Sequence, residues 1–128
     1  TIVVKEGKPL LVTGSPGGST IITTTMQIIL NVLEHKMSLS DAVSSPRFHH
    51  QWLPTRVIYE PQAFSADTRR ALQRRGHNEL VPLPGTYQIG DGNSVMRSNK
   101  GIEGMADPRN AGTAAGSSNR VTPVTSTK

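Results

Sequence analysis

One run of seven residues carries the clearest chemical possibility in this sequence: Gly14-Ser15-Pro16-Gly17-Gly18-Ser19-Thr20. It follows a short apolar run and precedes a long periodic segment, the layout of a turn that feeds a strand into a helix. A helix N-terminus leaves its first N–H groups without intrahelical partners and carries partial positive charge. Glycine at such a turn lets a reacting group approach the main chain with no side chain in the way. The combination suits an anion, either a phosphate or the oxyanion of a tetrahedral intermediate. A Walker loop would need a lysine before the Ser/Thr pair, and Gly18-Ser19-Thr20 has none. Gly14, Gly17 and Gly18 do not form G-x-G-x-x-G either. The same residues also make a plain turn that ends a strand, and spacing alone leaves both readings open.

The remaining polar groups point to structure rather than chemistry. His49 and His50 are adjacent, so in extended chain they face opposite ways and make a poor pair of ligands for one metal. No Asp, Glu or Cys stands near them at ligand spacing, and His35 and His77 are distant in sequence. Asp91-Gly92-Asn93-Ser94 has the start of a calcium loop without its closing glutamate, and turn chemistry accounts for it. Asp107-Pro108-Arg109 suits an ion pair or a turn, a structural role. Glu60, Asp67, Glu79 and Asp91 show no pairing readable as acid–base machinery.

The elements that position these groups follow from periodicity. Ile2-Val3-Val4 and Leu10-Leu11-Val12, joined by Glu6-Gly7-Lys8-Pro9, predict a β-hairpin with Gly7 in its turn. Neither run alternates, so both strands are expected to be covered on two faces. The chain has few helices to supply those covers, so it is either an unusual compact domain or part of something larger. From Thr20 to about His35, Ile21, Ile22, Met26, Ile28, Ile29, Leu30, Val32 and Leu33 share one helical face, which predicts a helix with that face buried. Ser38 to Asp41 opens a short helix that Pro46 stops. Arg56 to Glu60 reads as a strand. Ser65 caps a third helix, with Phe64, Thr68, Ala71 and Leu72 inward, that Gly76 ends. Glu79 to Leu83, Ser94 to Met96 and Ile102 to Met105 are further strands, with a turn at Gly90-Asp91-Gly92-Asn93.

Composition narrows the classes. With 128 residues, the chain is one domain or a piece of one. No apolar stretch nears the roughly 20 residues of a membrane span, and Thr1-Ile2-Val3-Val4-Lys5 lacks the layout of a signal peptide. The absence of cysteine excludes disulfides, thiolate metal sites and a cysteine nucleophile. The net charge of +5 is uneven: residues 1–64 hold five Lys/Arg against four Asp/Glu, and residues 65–128 hold nine against five. Arg69, Arg70, Arg74 and Arg75 supply much of that excess, and Arg74 and Arg75 sit at the helix end where the dipole favours cations. One Trp, two Tyr and two Phe give no aromatic interleaving for stacking on single-stranded nucleic acid, so no nucleic-acid partner is expected. Gly, Ala, Ser and Thr dominate from residue 111 to 128, predicting a flexible tail after a unit spanning 1–110.

Three motifs in order resemble the γ-glutamyltransferase (γ-glutamyltranspeptidase) family. They are Thr1-Ile2-Val3-Val4-Lys5-Glu6-Gly7-Lys8 with Leu11 to Ser19, Pro46-Arg47-Phe48-His49-His50-Gln51-Trp52-Leu53-Pro54, and Ala106-Asp107-Pro108-Arg109. The resemblance covers about residues 1–110 and matches the C-terminal part of the family's small subunit. It implies an α/β (α+β) fold, part of the four-layer αββα sandwich of an N-terminal-nucleophile hydrolase, which would cover the strands on both faces. It also implies an autoprocessing precursor whose exposed threonine attacks γ-glutamyl amides such as glutathione, passing the γ-glutamyl group to water or an amine. The family's Pro-Gly-Gly-Ser glycines, which donate N–H groups to the oxyanion, map onto Gly17 and Gly18. No cofactor or metal is expected. The nucleophile opens a Thr-Thr-His-type segment in the family, whereas Thr1 opens a Thr-Ile-Val-Val strand and is read as an ordinary strand residue. The family's serine pair, its carboxylate for the substrate amino group and its large-subunit arginine have no counterpart here. The partners implied are therefore the large subunit and the N-terminal part of the small subunit, and the fragment alone is expected to be inactive. The family further implies a periplasmic or secreted location. Two other readings stand beside it: a glutaryl or cephalosporin acylase of the same superfamily, and a non-catalytic basic module using the Arg69–Arg75 helix.

Overall fold

The computed structural model describes residues 1–99 and 101–116. Strands β1 (Ile2–Lys5), β2 (Lys8–Thr13), β6 (Ser94–Ser98) and β7 (Gly101–Met105) form an antiparallel sheet in the order β1-β2-β6-β7. A second sheet has the order β3-β4-β5. In it β3 (Phe48–His49) runs antiparallel to β4 (Val57–Tyr59), and β4 runs parallel to β5 (Leu80–Pro82). Three helices accompany them: α1 (Thr20–Leu33), α2 (Leu39–Ser44) and α3 (Ala66–Arg74).

The hairpin forms as the sequence requires. Glu6 (φ 52°) and Gly7 (φ 73°) both take left-handed backbone, the two-residue turn whose twist matches the flanking strands. The register slips between Val3 and Val4, so Val4 faces Pro9, a bulge that accommodates a residue with no N–H to give. α1 and α2 cover one face of the larger sheet, where Leu11, Ile28, Leu39 and Val43 form the core with Val3, Ile29, Val32, Met96 and Met105 around it. On the opposite face Ile2, Val12 and Val95 form one cross-strand row and remain exposed. Among the described residues, the double cover expected for β1 and β2 is thus present on one side only.

α1 differs from its expected orientation. Ile22, Met26 and Leu30 are exposed, while Thr24, Thr25, Gln27 and Ile28 are buried. Part of the polar side of α1 turns inward onto partners: Gln27 donates to the Phe48 carbonyl and accepts the Phe48 N–H, at 2.8 and 3.1 Å, and Thr23 bonds His49, while the buried Thr24 hydroxyl has no hydrogen-bond partner among the described residues. Hydrogen-bonded polar groups can be buried at little cost, so apolar periodicity alone did not set the helix rotation.

α2 starts at Ser38, whose hydroxyl accepts the Asp41 N–H, and α3 starts at Ser65, which accepts the Thr68 N–H. Gly76 (φ 95°) follows the end of α3. α3 contributes no fully buried residue, and Thr68, expected inward, is exposed. Phe64 instead packs its ring against Phe48 and Tyr59, with centroids 5.3 and 4.9 Å apart. β5 and β6, between which a turn was expected, lie in different sheets. Of the expected tail, residues 117–128 lie outside the described residues. In the described part, the Ala114 methyl lies 3.0 Å from where a side chain on Gly104 would begin.

Candidate active site: the glycine turn and its support

Three peptide planes define the turn between β2 and α1. Ser15 Oγ donates to the Pro16 carbonyl at 2.6 Å. The Gly17 carbonyl accepts the Thr20 N–H at 3.2 Å and its hydroxyl at 2.9 Å, and the Gly18 carbonyl accepts the Ile21 N–H at 3.2 Å. In a trans peptide the N–H points opposite to the C=O. With the Pro16 and Gly17 carbonyls held by Ser15 and by the first turn of α1, the Gly17 and Gly18 N–H groups point away from those partners. Neither N–H has a hydrogen-bond acceptor among the described residues, and both glycines are exposed. Their φ angles, 133° and 58°, are open to glycine and poorly open to other residues. A cleft of about 280 Å³ lies next to the turn, lined by Ser19, Thr20, His49, Gln51, Pro54, Arg56 and Ile58.

The turn rests on the loop before β6. Ser15 Oγ accepts the Asp91 N–H at 2.8 Å. Gly90 sits so close that a Cβ there would lie 2.5 Å from Thr24 Oγ1 and 2.6 Å from Ser15 Oγ. That loop is anchored in turn by buried charges. Arg47 donates to the Ile89 carbonyl at 2.8 Å, Glu60 accepts the Ile89 N–H at 2.8 Å, and Asp107 accepts the Gly92 N–H at 2.5 Å. Arg47 pairs with Asp107 at 2.7 Å, and Arg109 bridges Glu60 at 2.5 Å and Asp107 at 3.1 Å.

Electrostatics within this cluster follow from burial and pairing. Burial alone would raise the carboxyl pKa of Glu60, but hydrogen bonds from Arg109 and from the Ile89 and Arg47 N–H groups outweigh it and hold it below its ordinary value. Asp107 is likewise held low, its burial outweighed by the Gly92 and Arg109 N–H groups and by Arg47. The Arg47 guanidinium is pushed down by burial and by the neighbouring Arg109, against the pull of Asp107. Arg109 is pushed up, because Glu60 and Asp107 overcome its burial.

The other residues considered in the sequence do not converge on this turn as a reactive set. His49 is buried, with Nδ1 2.8 Å from Thr23 Oγ1 and Nε2 2.9 Å from Gln51 Oε1. His50 packs edge-on against His77, with ring centroids 5.6 Å apart. No group of three or more His, Cys, Asp or Glu able to hold a metal occurs among the described residues. Asp91 and Asn93 bond each other at 3.0 Å, as turn chemistry predicts. The Thr1 amino group donates to the Thr13 carbonyl at 2.8 Å. Asp107 and Arg109 form both the ion pair and the turn expected of them. Sequence reasoning missed that Glu60 and Arg47 complete their network; the available signal was a charge flanking an apolar strand (Val57 to Tyr59) and another between Pro46 and Phe48.

Mixed sheets and helices, with a strand-to-helix glycine turn beside a cleft, make this an α+β unit, and the solved structures it is similar to are N-terminal-nucleophile hydrolases. The profile of the gamma-glutamyltranspeptidase family matches residues 1–117. Among curated proteins, the glutathione hydrolase proenzyme of Escherichia coli (strain K12) is 43% identical over 110 residues, 85% of this chain and 18% of that protein. A solved mutant of the Helicobacter pylori gamma-glutamyltranspeptidase is 44% identical with a TM-score of 0.77, covering 86% of this chain and 59% of that one. A cephalosporin acylase from Bacillus halodurans has a TM-score of 0.73 at 28% identity, over 84% of this chain and 20% of that one. This chain belongs to the gamma-glutamyltranspeptidase family. It spans less than a fifth of the length of the Escherichia coli relative. No helix among the described residues is long and apolar enough to cross a membrane.

Proposed function

We propose that this chain is the C-terminal part of the small subunit of an enzyme that hydrolyses or transfers γ-glutamyl groups, and that it supplies the oxyanion hole through the Gly17 and Gly18 N–H groups. The observation that carries the reading is the pair of consecutive exposed N–H groups without acceptors among the described residues, at the N-terminus of α1. Such donors act where charge develops: when a nucleophile adds to the γ-carbonyl, the oxygen becomes an anion, and preorganised N–H groups stabilise it. The nucleophile in this scheme is an N-terminal threonine hydroxyl of the upstream chain, with its own amine as base. Its oxygen bonds to the carbonyl carbon, its proton passes to the leaving amine, and the C–N bond breaks to leave an acyl-enzyme. Water or an acceptor amine then attacks the ester, the threonine recovers its proton, and the γ-glutamyl product departs.

Gly17 (φ 133°) and its neighbour fit this role because a reacting centre must come within hydrogen-bond distance of bare main chain. The large subunit and the upstream part of the small subunit are the partners, glutathione and related γ-glutamyl amides the substrates, and the periplasm or the exterior the location. The test is expression of the full-length protein that carries this chain, followed by assay on γ-glutamyl and glutaryl anilides. Release from the first alone supports the reading. Release from the second alone assigns the protein to the acylases, the class of the Bacillus halodurans relative. A matured protein that turns over neither, yet binds polyanions in a salt-dependent way, is the basic binding module instead.

A further inference from the structure

We propose that Ser15 is a positioning residue, whose hydroxyl aims the Gly17 N–H by holding the Pro16–Gly17 peptide plane against the Ile89–Gly92 loop; this rests on the oxyanion reading of Gly17 and Gly18. The hydroxyl has one proton, and Ser15 Oγ places it on the Pro16 carbonyl at 2.6 Å. The Gly17 N–H belongs to that same peptide, so fixing its carbonyl fixes the N–H in the opposite direction. The plane of the next peptide is set separately by Thr20, which donates both its N–H and its hydroxyl to the Gly17 carbonyl. Ser15 therefore governs one of the two donors and Thr20 the other.

A serine hydroxyl rotates freely unless something fixes it. Here Oγ also accepts the Asp91 N–H at 2.8 Å, a donor 76 residues away in sequence. That donor is itself held. The flanking Ile89 peptide groups bond Arg47 and Glu60, both at 2.8 Å, and the Gly92 N–H bonds Asp107 at 2.5 Å. Arg47, Glu60 and Asp107 are all buried, so these anchors are shielded from competing water. Steric fit adds to the bonding. The position a Gly17 Cβ would take lies 3.6 Å from Gly90 Cα, and a Cβ on Gly90 would collide with Ser15 Oγ. The missing side chain of Gly90 thus lets the loop lie flush behind the turn, which places the Asp91 N–H within reach of Ser15.

Misaiming one donor weakens stabilisation of the transition state without removing contacts to the ground-state substrate, so it lowers kcat and spares KM. The test uses the full-length protein carrying Ser15→Ala, Ser15→Thr or Ser15→Cys, with Ser38→Ala as a structural control at the N-cap of α2. The expected result for Ser15→Ala on a γ-glutamyl anilide is a kcat about tenfold lower with KM within about twofold. Ser15→Thr keeps the hydroxyl and restores kcat to within about threefold, whereas Ser15→Cys, a weak donor and acceptor of similar shape, stays low. Ser38→Ala lowers the melting temperature and leaves kcat in place. If Ser15→Ala does not accumulate, the contrast between Thr and Cys decides the matter.

Replacing the Gly18 amide by an ester, with glycolic acid at position 18, removes the other N–H and separates the two claims. A slow ester variant beside a Ser15→Ala protein of normal kcat overturns the positioning role and keeps the oxyanion hole. Normal kcat in both overturns both. A Ser15→Ala protein that loses kcat and stability together, with no rescue by Thr, also overturns the positioning role.

Discussion

Arg47 and Asp107 stand 60 residues apart in sequence and share a 2.7 Å ion pair that neither side chain exposes to solvent. The pair ties the end of the larger sheet to the segment between α2 and β3. It also ties both to the loop under the glycine turn, since Asp107 holds the Gly92 N–H and Arg47 the Ile89 carbonyl. Removing one member of a buried pair typically costs about 3–5 kcal/mol where the other is left uncompensated. Arg109 still bonds Asp107 at 3.1 Å, so Arg47→Met in the full-length protein is expected to fall at or below the low end of that range, about 3 kcal/mol, read as a lowered urea midpoint at unchanged slope. A loss below about 1 kcal/mol would mean that the pair is solvated in the whole protein.

The same cluster predicts acid lability. Glu60 and Asp107 both have their pKa lowered on folding, chiefly because hydrogen bonds to the charged form outweigh burial. The unfolded chain then binds more protons than the folded one at acid pH, so these groups contribute stability above the unfolded carboxyl range near pH 4. That contribution is lost as pH falls through the lowered folded values. The melting temperature of the full-length protein should fall steeply below about pH 4, and Asp107→Asn should flatten that fall while lowering stability at pH 7. A profile of Asp107→Asn parallel to the native one would remove Asp107 from the acid transition.

Gly92 predicts a steric effect independent of charge. A Cβ there would lie 2.3 Å from Ile28 Cδ1 and 3.0 Å from an Arg47 guanidinium nitrogen. Ile28 is fully buried in the core and cannot give way freely. Gly92→Ala should cost about 1–3 kcal/mol, measured by chemical denaturation. Adding Ile28→Val, which shortens that side chain, should recover part of the loss.

Local signals in the sequence carried most of the elements. Ser38, Ser65 and Gly76 marked helix ends because capping is decided within one turn of chain. The glycine turn was legible as a turn for the same reason: glycines between a strand and a helix are read from residues 14 to 20. The rotation of α1 was not, because Gln27 is drawn inward by its two hydrogen bonds to Phe48 of β3, a partner distant in sequence. The support under the turn was also hidden. Ser15 meets Asp91 and Arg47 meets Asp107 only after the sheets assemble, and no periodicity within one chain encodes such a meeting. The exposed row Ile2, Val12 and Val95 is the other side of this. Its apolar pattern was readable, but no described residue covers it.

The two neighbouring glycines of the turn are not equivalent, and alanine should separate them. At Gly18 (φ 58°) an added Cβ meets nothing within 4 Å among the described residues, so within this chain Gly18→Ala bears the left-handed backbone penalty of roughly 1–2 kcal/mol and keeps its N–H in place. At Gly17 (φ 133°) a Cβ would lie 2.5 Å from Thr20 Oγ1. Thr20 would have to rotate away, breaking the 2.9 Å bond that orients the Gly17–Gly18 peptide and with it the Gly18 N–H. Proline at position 18 offers no cleaner route, because its ring demands φ near −65° and would refold the turn. Gly17→Ala should therefore slow acylation roughly 10²–10³-fold, the usual effect of losing one oxyanion donor, and Gly18→Ala by much less. Single-turnover release from a γ-glutamyl anilide by the matured full-length protein measures both. The reverse order would mean that the donor facing the reacting carbonyl is oriented by something other than Thr20.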